Sequence, residues 1–176
     1  MNCQITNNIL MIRPIQFRMN EQTAVNNYYQ KVLGNLRPSA INIKAVQEFD
    51  TFVDKLRTVG IQVIVINDTQ EFDTPDSIFP NNWISFHQNG TIALYPMFAK
   101  NRRLERKESI LAGIEKQGFL INSVQDYTNA EDASVFLEGT GSIILDRRNR
   151  KAYCALSPRA DEGLFIEFCE DFKKIY

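Results

Sequence analysis

The sequence predicts an α/β protein built from a repeated unit of strand, strand, helix and strand. Three observations support this fold class: apolar runs of strand length, apolar residues that recur at helical spacing, and glycines or an Asn-Gly pair between them. Apolar residues make up 44% of the 176 residues and charged residues 23%, which is typical of a globular protein and argues against disorder.

The amino-terminal part predicts a strand, a polar loop, a helix and a second strand. The apolar run at residues 9–12 ends before Pro14 and predicts a buried strand. Residues 17–40 are polar, and we expect a loop there with a short helix around residues 25–33. Apolar residues between positions 45 and 56 recur at helical spacing, and Gly60 ends this helix. The following run, residues 61–66, predicts a strand buried on both faces.

Two later segments share one plan, in which a hairpin is followed by a helix. In the first, strands at residues 83–86 and 91–95 are joined through Asn89-Gly90, a strong hairpin signal. A helix and a strand come next: the helix carries Leu104, Leu111 and Ile114 on one face and ends at Gly118, and the strand begins at residues 119–121.

The second segment repeats this order. Strands at residues 142–145 and 152–156 flank a turn at 147–150, and a helix follows with Leu164, Phe165, Phe168 and Phe172 on its face. A repeat of about 60 residues indicates a modular or propeller-like architecture. The third long helix has no glycine and apolar strand after it, so we expect residues 1–176 to form a single incomplete domain of a longer fold, with an open sheet edge that promotes self-association.

Charge and cysteine content limit the function classes. The 20 basic and 21 acidic residues nearly cancel, so we expect neither a nucleic-acid nor a membrane partner. Two basic clusters, at residues 102–107 and 147–151, are interpreted as a solvated helix face and a hairpin turn. Three cysteines, no signal-peptide pattern and no membrane-length apolar run predict a cytoplasmic protein without a disulfide framework.

Three motifs contain candidate functional residues, and each also has a structural interpretation. PDSIFPNNW, residues 75–83, is a rigid polar loop suited to binding, although its backbone angles alone would explain it. FLEGTG places Glu138 before two glycines, either in a ligand site or at the surface beside a bulge. LSPR places Arg159 before the last helix, where it binds a carboxylate or forms a surface ion pair.

Together, PDSIFPNNW, FLEGTG and AYCALSPRAD, in this order and spacing, resemble the guanidino-group-modifying superfamily. This superfamily includes arginine deiminases, dimethylarginine dimethylaminohydrolases and amidinotransferases. The sequence is most similar to the amidinotransferase-like branch linked to citrulline use. The resemblance implies a five-module α/β propeller, or pentein, of which this chain holds about half. It also implies a cysteine thiolate that attacks the amidine carbon and a histidine that transfers protons, without metal or cofactor.

The resemblance assigns roles to individual residues. Glu138 matches the acid that holds the guanidinium group, Asp76 matches an acidic residue of the substrate loop, and Asn81 lies in the same loop. Asn82 stands where the deiminases and the dimethylaminohydrolases have Asp, which favours a neutral ureido group or another amidine-like substrate over free arginine. Arg159 resembles an arginine that binds the substrate carboxylate, and Arg102 or Arg103 is a candidate for a second.

The catalytic histidine and cysteine that the resemblance implies have no counterpart here. His87 lies at a hairpin and is interpreted as structural or solvated, and Cys154 and Cys169 as small buried hydrophobic residues. Cys3 lies near the start. We therefore expect the amino-terminal portion of a hydrolase or amidinotransferase for a small guanidino or ureido amino acid, inactive alone, whose missing residues come from a second chain. Two alternatives remain: a non-catalytic binding or assembly module of the same fold, and a new dyad of His87 and Cys154.

Overall fold

A computed structural model describes residues 4–25, 27 and 37–175. Its strands are β1 (Asn8–Arg13), β2 (Gln62–Asn67), β3 (Ile84–Phe86), β4 (Thr91–Leu94), β5 (Ser123–Asp126), β6 (Ile143–Asp146) and β7 (Lys151–Cys154). Its helices are α1 (Glu21–Ala24), α2 (Pro38–Thr58), α3 (Lys100–Arg103), α4 (Glu108–Lys116), α5 (Gly139–Ser142) and α6 (Glu162–Ile175). Two 3₁₀ helices lie at Pro80–Asn82 and Thr128–Ala133. The expected helix around residues 25–33 falls almost entirely outside the described residues.

Both hairpins predicted from the sequence are present, and two parallel pairings join the other strands. β1 and β2 are parallel, β3 and β4 form an antiparallel hairpin, β5 adds to β4 in parallel, and β6 and β7 form the second hairpin. Gly60, Gly90 and Gly118 adopt positive φ angles of 85°, 80° and 89°, a conformation that glycine adopts at little cost. The helix ends and the hairpin turn predicted at these glycines are confirmed.

Contacts divide the chain into two compact units. Of the described residues, the first unit contains 4–5, 81–98 and 119–175, and the second contains those between 6 and 80 together with 99–118.

The second unit packs helices onto the parallel pair of strands β1 and β2. α2 starts with Pro38 at its first position, where a missing backbone N–H costs nothing. Its buried face presents Phe49 and Val53 to Val63 of β2. α4 approaches β2 at Gly113, where an added Cβ would lie 3.1 Å from Cδ1 of Ile66. The absence of a side chain at this position therefore allows the helix to pack closely on the strand.

The first unit is built around α6. Phe168 is 1% exposed, and its ring centroid lies 5.8 Å from that of Tyr95 and 6.0 Å from that of Tyr127. Leu164 and Phe172 extend the same buried helix face, which confirms the predicted periodicity. Ile143 of β6 belongs to the same core.

Two predicted elements differ from the structure. Leu104 does not share a helix face with Ile114, because Lys107 has an extended backbone that separates α3 from α4, and Leu104 is 42% exposed. The strand predicted from residue 119 begins only at Ser123, where the chain reaches Thr91 of β4. Its apolar residues had suggested a strand, but a strand requires a neighbouring backbone to pair with.

None of the helices in the described part of the chain combines the length and the apolar character that crossing a membrane requires.

The core of the first unit predicts a large loss of stability on truncation of α6. We expect Phe168→Ala to lower the free energy of unfolding by about 3–5 kcal/mol, because it leaves a cavity between aromatic rings. Ile166→Ala on the same helix is the matched control, since Ile166 is 51% exposed. Urea unfolding of both variants measures the difference, and equal losses would contradict the packing described here.

Candidate functional site

Glu138 is a buried carboxylate whose two oxygens are both hydrogen-bonded. The residue is 1% exposed and directly precedes α5. Its Oε1 accepts the backbone N–H of Phe98 at 3.2 Å, and its Oε2 accepts the side-chain amide of Asn82 at 3.3 Å. Because a buried charge is costly unless it is paired and hydrogen-bonded, these partners are needed to keep the group in place. The interpretation of Glu138 as a surface residue is wrong.

Arg159 supplies the opposite charge. Its Nη1 lies 3.4 Å from Oε2 of Glu138, and the two side chains are 16% and 2% exposed. The guanidinium carbon also lies 5.9 Å from the centroid of the Phe98 ring, within range of a cation–π contact. Arg159 is therefore part of a largely buried ion pair and not of a surface pair. The backbone of the two residues is connected as well, since the N–H of Glu138 donates to the carbonyl of Arg159 at 3.0 Å.

The two glycines of FLEGTG allow the backbone to lie against the NNW segment. A Cβ on Gly139 would lie 2.5 Å from the backbone oxygen of Asn81, and one on Gly141 would collide with the side-chain amide of Asn82. The hydroxyl of Thr140 donates to the same Asn81 oxygen at 3.2 Å. Asn81 thus contributes its backbone, while its side chain is exposed. The two glycines allow Asn82 to approach Glu138. This packing accounts for both glycines, so a nucleotide-binding role is not needed to explain them.

Asp76, in the second unit, lies in a separate buried network. It is 7% exposed, and its Oδ2 accepts the Asn20 amide at 2.8 Å and the Thr23 hydroxyl at 3.2 Å. Asn101 extends this network, because its side-chain amide donates to Oδ1 of Asn20 at 2.9 Å. Sequence reasoning missed these three residues. Asn20 caps the amino terminus of α1, and an Asn at such a position could have indicated the helix. The polar residues around it predicted only a loop.

Arg102 is buried and supports the backbone of the PDSIFPNNW segment. It is 3% exposed, pairs with Glu105 through Nε at 2.9 Å, and donates through Nη2 to the backbone oxygen of Phe79 at 3.0 Å. Burial raises the pKa of Glu105 to about 7, although the neighbouring Arg102 opposes this shift. The prediction of a solvated basic face is wrong for Arg102. Arg103, in the last turn of α3, is half-buried.

His87 is buried in the first unit and is hydrogen-bonded on both ring nitrogens. Nδ1 lies 3.0 Å from Nη1 of Arg147, and Nε2 lies 3.0 Å from the Ser85 hydroxyl. A guanidinium only donates, so Nδ1 accepts, and Nε2 carries the proton. Burial, together with the Arg147 charge, lowers the pKa of His87 to about 3. The ring is therefore neutral at physiological pH and has a structural role, as one of its two interpretations predicted.

The described cysteines are not activated nucleophiles. Cys154 and Cys169 are partly buried and pack against the core of the first unit. Burial raises the pKa of both thiols, whereas a nucleophilic cysteine needs a lowered pKa. Cys3 lies outside the described residues. Within the described ranges, no group of three or more histidine, cysteine or acidic side chains is arranged to hold a metal ion.

Comparison with known proteins identifies the class. The chain belongs to the guanidino-group-modifying, or pentein, superfamily, and its α/β fold matches that of solved members. Within this class it belongs to the family described as eukaryotic N,N dimethylarginine dimethylhydrolase, whose model matches residues 13–175. No curated protein matches the chain.

Several solved structures share the fold. The product-bound N-terminal domain of ArgZ, an arginine dihydrolase from the ornithine-ammonia cycle in cyanobacteria, is 17% identical with a TM-score of 0.65, over 94% of this chain and 54% of that one. A histidine-to-glycine variant of dimethylarginine dimethylaminohydrolase, in an adduct with S-methyl-L-thiocitrulline, is 18% identical with a TM-score of 0.63, over 93% and 57%. Unliganded AgrE is 18% identical with a TM-score of 0.61, over 89% and 20%. The chain thus spans about half of the first two chains.

The burial of His87 predicts a specific pH dependence of stability. The pKa of His87 is about 3 in the folded protein and 6.5 in the unfolded chain. Below pH 6.5 the unfolded state therefore binds more protons than the folded state. Stability is therefore lost as the pH falls, by about 1.4 kcal/mol per pH unit, or about 2 kcal/mol between pH 6.5 and 5. Urea unfolding at pH 7 and 5 measures this loss as a difference: the stability of the native protein relative to His87→Gln should fall by about 2 kcal/mol. The raised pKa of Glu105 changes stability in the opposite direction, but it is present in both proteins and cancels in the comparison. Parallel losses in both proteins would contradict it.

Proposed function

We propose that this chain forms the substrate-holding part of a guanidino-modifying active site and that it prefers a neutral ureido group. The single observation that carries the proposal is the buried carboxylate of Glu138, bonded through one oxygen to both Asn82 and Arg159. A planar N–H group presented to this carboxylate would be held by charge-assisted hydrogen bonds and oriented by them.

The charges around Glu138 favour a neutral ligand. Glu138 contributes one negative charge, Arg159 one positive charge, and Asn82 none, so these three side chains are neutral together. A guanidinium ion would add an uncompensated positive charge to a buried site, whereas a ureido group offers similar N–H donors without charge. This agrees with the resemblance to the branch linked to citrulline use. Asp76, Asn81, Arg102, Arg103 and Arg159 complete the proposed set of substrate-binding residues.

The proposed reaction requires groups beyond those described. A thiolate would attack the central carbon, ammonia or an amine would leave with a proton from a histidine, and water or another amine would release the covalent intermediate. The raised thiol pKa values of Cys154 and Cys169, and the low pKa of His87, support a supply of both groups by further polypeptide. We propose that this polypeptide completes a cytoplasmic five-module propeller, in which residues 1–176 are one incomplete domain.

The second hairpin supports such a partner. Within the described residues β7 pairs only with β6, and the N–H of Ala155 bonds to Ser142. Hydrogen-bonded pairs alternate along an antiparallel ladder, so the backbone groups of Ala152 and Cys154 point to the outer edge. Ile144 and Tyr153 are 70% and 55% exposed on one face of this hairpin. An open edge beside exposed apolar residues is typical of an interaction surface, which also favours the second candidate function, an assembly module.

Exchange of Asn82 tests the charge argument. We expect Asn82→Asp to shift the preference from a ureido amino acid to its guanidino analogue by about tenfold, because the second carboxylate compensates the cation. Glu138→Gln should weaken the binding of both ligands. Glu162→Gln is the control, because Glu162 is an exposed acid at the start of α6 and should not affect either affinity. Calorimetry, or the fluorescence of Trp83, the single tryptophan, measures the affinities.

Two results would overturn the proposed function. One is that the native chain binds neither ligand. The other is that turnover stays absent when a family chain bearing the catalytic histidine and cysteine is added.

Self-association through the second hairpin is the corresponding prediction for the partner surface. We expect the isolated chain to sediment as oligomers, and Ile144→Ser with Tyr153→Ser to shift it toward monomer, because the apolar face is lost. Leu120→Ser is the matched control, since Leu120 is 74% exposed elsewhere in the first unit. Sedimentation velocity distinguishes them, and a monodisperse native monomer would contradict the prediction.

A further inference from the structure

A cavity lies within the first unit, and none of Glu138, Asn82 and Arg159 lines it. Its volume is about 440 Å³, within the range of small-ligand sites. It is lined by the buried face of α6 and by Leu145 and Ala152, which are paired across β6 and β7. Since side chains alternate along a strand, this is the opposite face of the hairpin from Ile144 and Tyr153. The cavity is therefore distinct from the proposed partner surface.

One wall of the cavity consists of stacked rings. The centroids of Phe168 and Phe172 are 4.5 Å apart with an interplanar angle of 34°, and His87 stacks on Phe172 at 4.2 Å and 35°. The position of the His87 ring is fixed by the Ser85 and Arg147 hydrogen bonds. Such a wall favours a flat, apolar ligand body, because aromatic rings prefer offset or tilted contacts at these separations.

The rim of the cavity is basic. Arg147, Arg150, Lys151 and Lys173 line it, against the single acid Asp146. Hydrogen bonds from Asn149 lower the pKa of Asp146, so that its charge stabilises the turn. Four cations and one anion leave a positive rim above an apolar wall, and a concave surface of one charge sign concentrates ligands of the opposite sign.

We propose that this cavity binds a small planar anion, an aromatic ring that carries a carboxylate or a phosphate group. The ring would contact Phe172, Leu145 and Ala152, with Phe168 behind Phe172, and the anionic group would face the basic rim. This site goes beyond the proposed function, because it shares no residue with the Glu138 site and needs no turnover.

The single histidine of the sequence makes the test direct. His87 lines the cavity, so the NMR signals of its labelled ring report binding there without ambiguity. Three probes separate the two features of the ligand. Benzoate has both the ring and the negative charge, acetate has only the charge, and benzyl alcohol has only the ring. We expect saturable shifts with benzoate at millimolar concentration, and at least about tenfold weaker binding of the other two. Phenyl phosphate should also bind.

Two sets of variants separate a specific site from general charge attraction. The double variant Lys151→Gln, Lys173→Gln should lower the affinity for benzoate at least about tenfold, because two cations of the rim are removed. Arg148→Gln is the matched control, because Arg148 is exposed in the same turn and does not line the cavity. The proposal is overturned if His87 shows no saturable shift with benzoate or phenyl phosphate. It is also overturned if Arg148→Gln weakens binding as much as the double variant does.

Discussion

The cost of burying one carboxylate governs the arrangement of the candidate site. An ionised Glu138 at 1% exposure is tolerated only if donors and a counter-charge surround it. The donors come from sequence-distant segments: the backbone of Phe98, the amide of Asn82 and the guanidinium of Arg159. The carboxylate of FLEGTG thus connects the NNW and LSPR motifs. It is fully hydrogen-bonded only when both of these motifs contribute their donors.

This constraint also explains residues with no chemistry of their own. Gly139 and Gly141 are required because the Asn81–Asn82 backbone and side chains occupy the space where a Cβ would be. Phe98 contributes twice, through its N–H to the carboxylate and through its ring beneath Arg159. A substitution at any of these positions would act on Glu138 indirectly, by leaving a buried charge with one partner fewer.

Local features of the fold were predictable from the sequence, and non-local ones were not. Gly60, Gly90 and Gly118 mark boundaries because the backbone needs positive φ there, a property of single residues. By contrast, the start of β5 depends on where the chain meets β4, and the burial of Arg102 depends on Glu105 and on backbone oxygens far along the chain. The roles of Glu138, Asn82 and Arg159 were inferred from a family resemblance, but their mutual pairing required coordinates.

The same reasoning supports the proposal that the described residues hold a substrate and do not transform it. A nucleophile needs a thiol whose charged form is stabilised, yet Cys154 and Cys169 lie against apolar residues that stabilise the neutral form. A proton carrier needs a pKa near the working pH, yet His87 is held neutral by burial and by Arg147. The carboxyl oxygens of Glu138, by contrast, face hydrogen-bond donors and a guanidinium group. Under the proposed function, a carboxylate so placed would bind and orient an N–H group, and the step that breaks a bond would use groups with the opposite electrostatic surroundings.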